Sequence, residues 1–190
     1  MAYRPNPAAM FFTCIVLLLL PMAADAGADA RQVYEWMQQL EGDWSLSPAA
    51  VQEGKSTEHP ATAPLVGTDA VAISFKLIGR GSTLQEDLLS GTERQMVTMY
   101  HCRDSDCSAV KATHYCAKRN QPEFLASAES TPGKLVFDCD MSTELCQSWD
   151  AHIHRITHEL SDDGNHLKST YSGFMNGEPA GATIFHFDRR

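Results

Sequence analysis

The chain has 190 residues, 43% of them hydrophobic, and a formal net charge of −9. That length and apolar share suffice for one ordinary domain with a real core. A chain this acidic, with no cluster of lysine and arginine, argues against nucleic acid and anionic membrane surfaces as partners.

Residues 1–26 read as an export signal. Arg4 supplies a positive start, Ala8 to Leu20 is an apolar run broken at Pro21, and Ala24-Asp25-Ala26 is a small-x-small cleavage site. The run is short for a membrane span, which needs ~20 residues. An uncleaved anchor is the alternative. Cys14 lies near the start of the run and not after it, which argues against a lipid-attached cysteine. Removing residues 1–26 from 190 leaves 164, a domain over 27–190 expected in the periplasm or outside the cell.

The elements follow in order. Asp29 to Leu40 reads as a helix, with Val33, Trp36, Met37 and Leu40 on one stripe, Asp29 as its cap and Gly42 at its end. That stripe should cover one end of a sheet. Asp43 to Leu46 begins a strand. Glu53 to Leu65 is loop, with Pro60 and Pro64. Ala70 to Ile78 and Gly81 to Leu89 are strands around a glycine turn. In the second of these, Glu86 alternates with Ser82, Leu84 and Leu88. It either faces inward, as a base or ligand partner, or sits on a rim.

Met96 to Pro122 contains a hairpin whose loop RDSD is flanked by Cys102 and Cys107. If those cysteines lie opposite each other, alternation puts Val97, Met99, His101, Val110, Ala112, His114 and Cys116 on one face. Met96, Thr98, Tyr100, Lys111, Thr113 and Tyr115 take the other. Lys111 marks that second face as outer, so His114 and Cys116 turn inward. Phe124 to Ser130 and Lys134 to Cys139 are strands joined by Thr131-Pro132-Gly133.

Trp149 to Leu160 reads as a long strand, WDAHIHRITHEL. Strict alternation places His152, His154, Ile156, His158 and Leu160 on one face, and Arg155 and Glu159 on the other. The charged face prefers water, so the histidines point inward. His166 to Met175 and Ala180 to Asp188 form a last hairpin over Asn176-Gly177. About ten strands linked by short turns give an all-β chain, a single antiparallel barrel, closed or nearly so, with a short N-terminal helix. Closure removes the exposed edges.

Five cysteines remain after the signal: Cys102, Cys107, Cys116, Cys139 and Cys146. In an oxidising compartment the spacing favours two local disulfides, Cys102 with Cys107 and Cys139 with Cys146, leaving Cys116 a buried thiol. Four-cysteine zinc binding competes, but CxxC spacing is absent. Each short loop contributes on the order of 2 kcal/mol by chain entropy.

Gly42-Asp43-Trp44 after a short amphipathic helix resembles the GxW start of calycin-type barrels: lipocalins, fatty-acid-binding proteins and nitrobindin-like proteins. MVTMYH, THYC followed by NQP, and DAHIH resemble a group of bacterial lipocalin-like proteins of unknown function, over about Leu40 to the C-terminus. In that group the hairpin loop is short and free of cysteine, and a glycine usually precedes NQP. Here the loop carries Cys102 and Cys107, and Arg119 precedes Asn120. The resemblance implies a fold and no agreed reaction. Heme, as held by nitrobindin, would require an axial histidine near the C-terminus; His186 is the candidate there, no other heme signature is present, and heme is not expected.

Three readings of the histidines compete. They are wall residues bonded to each other, to water or to Glu86 and Gln121. They are the polar contacts of a pocket for a small organic ligand, a set made of His114, Cys116, His152, His154, Glu86 and Gln121. Or His114, His152 and His154 hold zinc or another divalent ion. Cys116 beside His114 resembles a nucleophile pair, but i and i+2 on a strand are ~6.5–7 Å apart, long for a hydrogen bond. The expectation is an exported barrel holding a small hydrophobic or amphipathic ligand in a histidine-lined cavity. An enzyme or metal protein using the three histidines, and a ligand-free structural or partner-binding barrel, are the alternatives. Oligomeric state is open.

Overall fold

The structure is a computed structural model that describes residues 1, 28–48 and 61–190. The signal reading over residues 2–26 and most of the proline-bearing loop, residues 53–60, lie outside the described residues. Helix α1 spans Ala30–Met37 and tightens into a 3-10 turn at Gln38–Leu40. The Asp29 carboxylate accepts the Gln32 N–H at 2.9 Å, satisfying a donor that the first turn leaves open. Its buried face is Val33, Tyr34, Met37 and Leu40. The expected stripe is therefore corrected at one position. Trp36 is only partly covered at the edge of the core. Tyr34 turns in instead, because its phenol finds the Gly81 carbonyl at 2.9 Å.

Ten strands follow: β1 (Gly42–Leu46), β2 (Val71–Ile78), β3 (Thr83–Leu88), β4 (Met96–Cys102), β5 (Val110–Tyr115), β6 (Glu123–Ala126), β7 (Lys134–Cys139), β8 (His152–Leu160), β9 (His166–Met175) and β10 (Glu178–Arg189). A one-turn helix, α2 (Glu144–Gln147), lies in the loop before β8. Each strand pairs antiparallel with the next, and β1 closes on β10. The result is a closed barrel compatible with a lipocalin-like fold. The turns act as their residues dictate. Asn176 and Gly177 both take positive φ, 56° and 82°, which is the mirror-type turn that matches strand twist.

The seam between β1 and β10 is tied by one side chain. Arg189 donates to the carbonyls of Gly164 (2.7 Å), Glu41 (2.8 Å) and Gln39 (2.8 Å), and its guanidinium lies 4.0 Å from the Trp44 ring centre. The indole N–H of Trp44 donates to Leu40 O at 3.0 Å. Gly42 has φ +130°, and a Cβ there would sit 3.2 Å from Arg189 Nη1, so the backbone needs glycine for both angle and space.

Helix α1 covers one end of the barrel. Besides Tyr34 to Gly81 between β2 and β3, Arg31 reaches the Ser105 carbonyl in the β4–β5 loop. Behind it Met37, Trp44, Phe75, Phe124, Phe137 and Phe187 fill the interior. Burying each such side chain contributes about 1.5–3 kcal/mol.

Both expected disulfides are present, Cys102–Cys107 and Cys139–Cys146. The hairpin register is not the expected one. Cys102 lies opposite Val110, not Cys107, Tyr100 opposite Ala112, and Thr98 opposite His114. The disulfide closes the loop itself, with Cys107 at φ +54°, and the ladder begins beyond it. An odd shift flips one strand relative to the other. The inward assignment of Val97, Met99 and His101 is thus overturned: Thr98 and Tyr100 are buried inside with Val110, Ala112 and His114. Cys116, expected to be a buried thiol, is free but only half-buried. No helix among the described residues is long and apolar enough to cross a membrane.

Candidate functional site

Glu86 faces inward from β3 between Leu84 and Leu88, and its surroundings follow from its charge. A buried carboxylate must collect donors. Tyr100 Oη donates to Glu86 Oε2 at 2.6 Å, and Tyr171 Oη donates to Oε1 at 2.7 Å. His158 Nε2 lies 3.0 Å from Tyr100 Oη and 3.4 Å from Glu86 Oε2. His158 Nδ1 in turn is 2.8 Å from Ser169 Oγ. Burial pushes the Glu86 acid up, but His158 and Tyr100 outweigh it and hold the group below its ordinary range. Burial, and then the Glu86 charge, push both Tyr100 and Tyr171 well above the usual phenol value, so both remain donors.

Above this cluster, at the end away from α1, a cavity of about 660 Å³ opens. Leu89, Met96, Ile153 and Phe185 make apolar walls, and the buried residues His114 and Tyr171 form its inner end. Cys116, Arg94 and Lys118 also line it. Neither Arg94 nor Lys118 makes an ion pair among the described residues. His114 Nδ1 lies 2.8 Å from Thr98 Oγ1, whereas its Nε2 is buried with no hydrogen-bond partner among the described residues. Burial holds the His114 pKa below the ordinary imidazole value, with Glu86 partly opposing, so the ring is neutral near pH ~7. A neutral imidazole anchored at one nitrogen offers the other to whatever enters.

The structure brings only part of the expected ligand set to this cavity. His114 and Cys116 line it, and Glu86 stands behind Tyr171. Gln121 is exposed in the loop after β5. The shared cavity for His114, His152 and His154 is overturned, and with it the expected three-histidine metal site. The register of β8 against β9 shifts between Ile153 and Arg155, so a bulge leaves His154 without a position in the ladder. Ile153, opposite Gly173, faces the cavity, and His152, opposite Phe174, takes the other side of the sheet. There His154 stacks on Phe174, with ring centres 4.7 Å apart. His152 Nδ1 lies 2.7 Å from Asp150 O, and His152 Nε2 lies 3.0 Å from His154 Nδ1. Burial and then His152 lower the His154 pKa. The donor group that does assemble is Cys139, His152 and His154, with ligand atoms within 4.8 Å of one another. His186 lies 3.0 Å from His166 in a second stacked pair.

Sequence reasoning missed Tyr100, Tyr171, Ser169, Thr98, Arg94 and Lys118. A signal existed for β9, where Leu167, Ser169, Tyr171 and Gly173 alternate against Lys168 and Thr170. For β4 it was hidden by the wrong register. In comparisons with known proteins, no family model and no curated protein matches this chain.

Proposed function

We propose that this is an exported lipocalin-like barrel whose cavity holds a small amphipathic ligand. The observation that carries the reading is His114 Nε2, a buried polar atom without a partner among the described residues, at the inner end of a cavity with apolar walls. A buried polar group left unbonded costs about 1–3 kcal/mol, which a ligand hydrogen bond removes. Apolar walls take the ligand body. Arg94 and Lys118, cations in a chain of net charge −9, favour an acidic group at the mouth. The two disulfides support residence in an oxidising compartment, as does the signal at residues 1–26.

The test is native mass spectrometry of protein taken from its own compartment, followed by titration with a fluorescent fatty-acid analogue. Binding at low micromolar concentration is expected, with His114→Ala weakening it about tenfold, the equivalent of one hydrogen bond. Protein that carries no small molecule and binds no such probe would leave the barrel without this role.

A further inference from the structure

The outer side-chain group at the open end is a metal-donor set with one lock on it. Cys139 Sγ and one ring nitrogen from each of His152 and His154 lie within 4.8 Å of one another. Cys146 Sγ is bonded to Cys139 Sγ and so is tethered beside this three-residue group, although it is not itself within 4.8 Å of all of its donors. Cys139, Cys146 and His152 are buried.

The orientation of His152 is fixed from behind. Its Nδ1 lies 2.7 Å from Asp150 O, and a carbonyl only accepts, so Nδ1 carries the proton. Neutral His152 then presents a bare lone pair at Nε2, which now receives the Nδ1–H of His154 at 3.0 Å. A backbone carbonyl that sets the tautomer is the usual support of a metal-binding histidine. In a tetrahedral zinc site with metal–nitrogen bonds of ~2.0–2.1 Å, two nitrogens sit about 3.3 Å apart, close to the separation seen here. What the group lacks is thiolate, because a disulfide sulfur is neutral and the thiolate is the ligand.

We infer that reduction of Cys139–Cys146 converts this group into a zinc site made of Cys139, Cys146, His152 and His154. The chemistry balances. A dithiol reductant delivers two electrons and two protons to the disulfide, yielding two protein thiols and its own disulfide. Zn²⁺ then displaces both thiol protons to solvent. His154 moves its proton from Nδ1 to Nε2, and the metal keeps its oxidation state. Two thiolates and two neutral imidazoles leave the site electrically neutral, which suits its burial. Cys146 lies on the single turn of α2, in a loop, and the two sulfurs must separate to about 3.8 Å around the metal. The inference is independent of the ligand cavity.

The test is cobalt titration of the full chain, oxidised and after reduction with a phosphine, with Co²⁺ as the optical probe for the zinc site. Reduced protein should bind one Co²⁺ per chain with thiolate-to-cobalt charge transfer and tetrahedral d–d absorption, both removed by Zn²⁺. Oxidised protein should show neither. Cys102→Ser with Cys107→Ser should leave binding intact. Cys139→Ser with Cys146→Ser should abolish the charge-transfer band. His154→Gln, at a half-exposed position, should weaken affinity more than about 100-fold, beyond the ~10–100-fold range of a lost supporting contact. Equal binding in the oxidised protein, retained affinity in His154→Gln, or a reduced protein that binds no cobalt, folded or unfolded by circular dichroism, would each overturn the inference.

Discussion

Six histidines of this barrel fall into two groups, and the difference between them separates structure from available chemistry. Inside, His158 and His114 bond to hydroxyls, Ser169 and Thr98, and lie near the Glu86 carboxylate. Outside, His152 pairs with His154, and His166 with His186, ring against ring. Inside, the polar atoms of the Glu86 cluster pair with one another, and His114 Nε2 is the exception, with no partner among the described residues. Each outer pair joins a buried ring, His152 or His186, to a half-exposed one, His154 or His166. The inner set is bound into the core through Glu86, whereas the outer pairs bond to each other and to Asp150 and Asp188.

The sharpest way to break this contrast is Glu86→Ala. It strands Tyr100, Tyr171 and His158 without their shared acceptor, and urea unfolding should show a loss of about 3–5 kcal/mol. A loss below about 1 kcal/mol would place the inner set among the dispensable ones.

Acidification comes next in expected effect. The folded pKa values of His114 and His154 lie below 6.5, so the unfolded chain binds these protons first as pH falls. Stability should therefore begin to drop as pH falls through about 6.5. The folded pKa of Glu86 lies below 4.5, so its contribution is present above 4.5 and is lost as pH falls through the lower folded value. Unfolding free energies from about pH 8 to about pH 3 should show both declines, and His114→Ala should shrink the upper one. A flat profile through the upper window would mean that the His114 ring is charged or solvated in the fold.

The smallest effect belongs to the outer group. His154→Ala should cost no more than about 1 kcal/mol of oxidised-protein stability, as its hydrogen bond and ring contact are half-exposed. A loss comparable to that of Glu86→Ala would erase the distinction.

The sequence made the barrel legible because turn residues and alternation are local. Asn176-Gly177, Thr131-Pro132-Gly133 and the helix cap Asp29 all act within a few residues. The disulfide pairing was legible for the same reason. The site was less so, because it depends on register. A cysteine pair was expected to set the β4–β5 ladder, yet Cys107 sits in the loop at positive φ, and the shift turned Tyr100 and Thr98 inward. One bulge in β8 did the reverse to His152 and His154. The first is a three-residue shift of register and the second a one-residue bulge, and neither is marked by local sequence. Arg119 is a further case. It takes φ +66°, a left-handed conformation that glycine adopts without strain and that nothing in the residue type announces.

The seam at Arg189 also sets an order of events. Its contacts to Gln39 and Glu41 join parts of the chain 150 and 148 residues apart. Local hairpins can form in microseconds, but this closure must wait for the most distant loop in the molecule to find its ends. Trp44 therefore remains without the guanidinium of Arg189 until β10 arrives. Barrels dominated by such distant pairings fold in milliseconds to seconds. During that interval β1 is an open edge, and a chaperone that shields Gly42–Leu46 would protect the step on which ring closure depends.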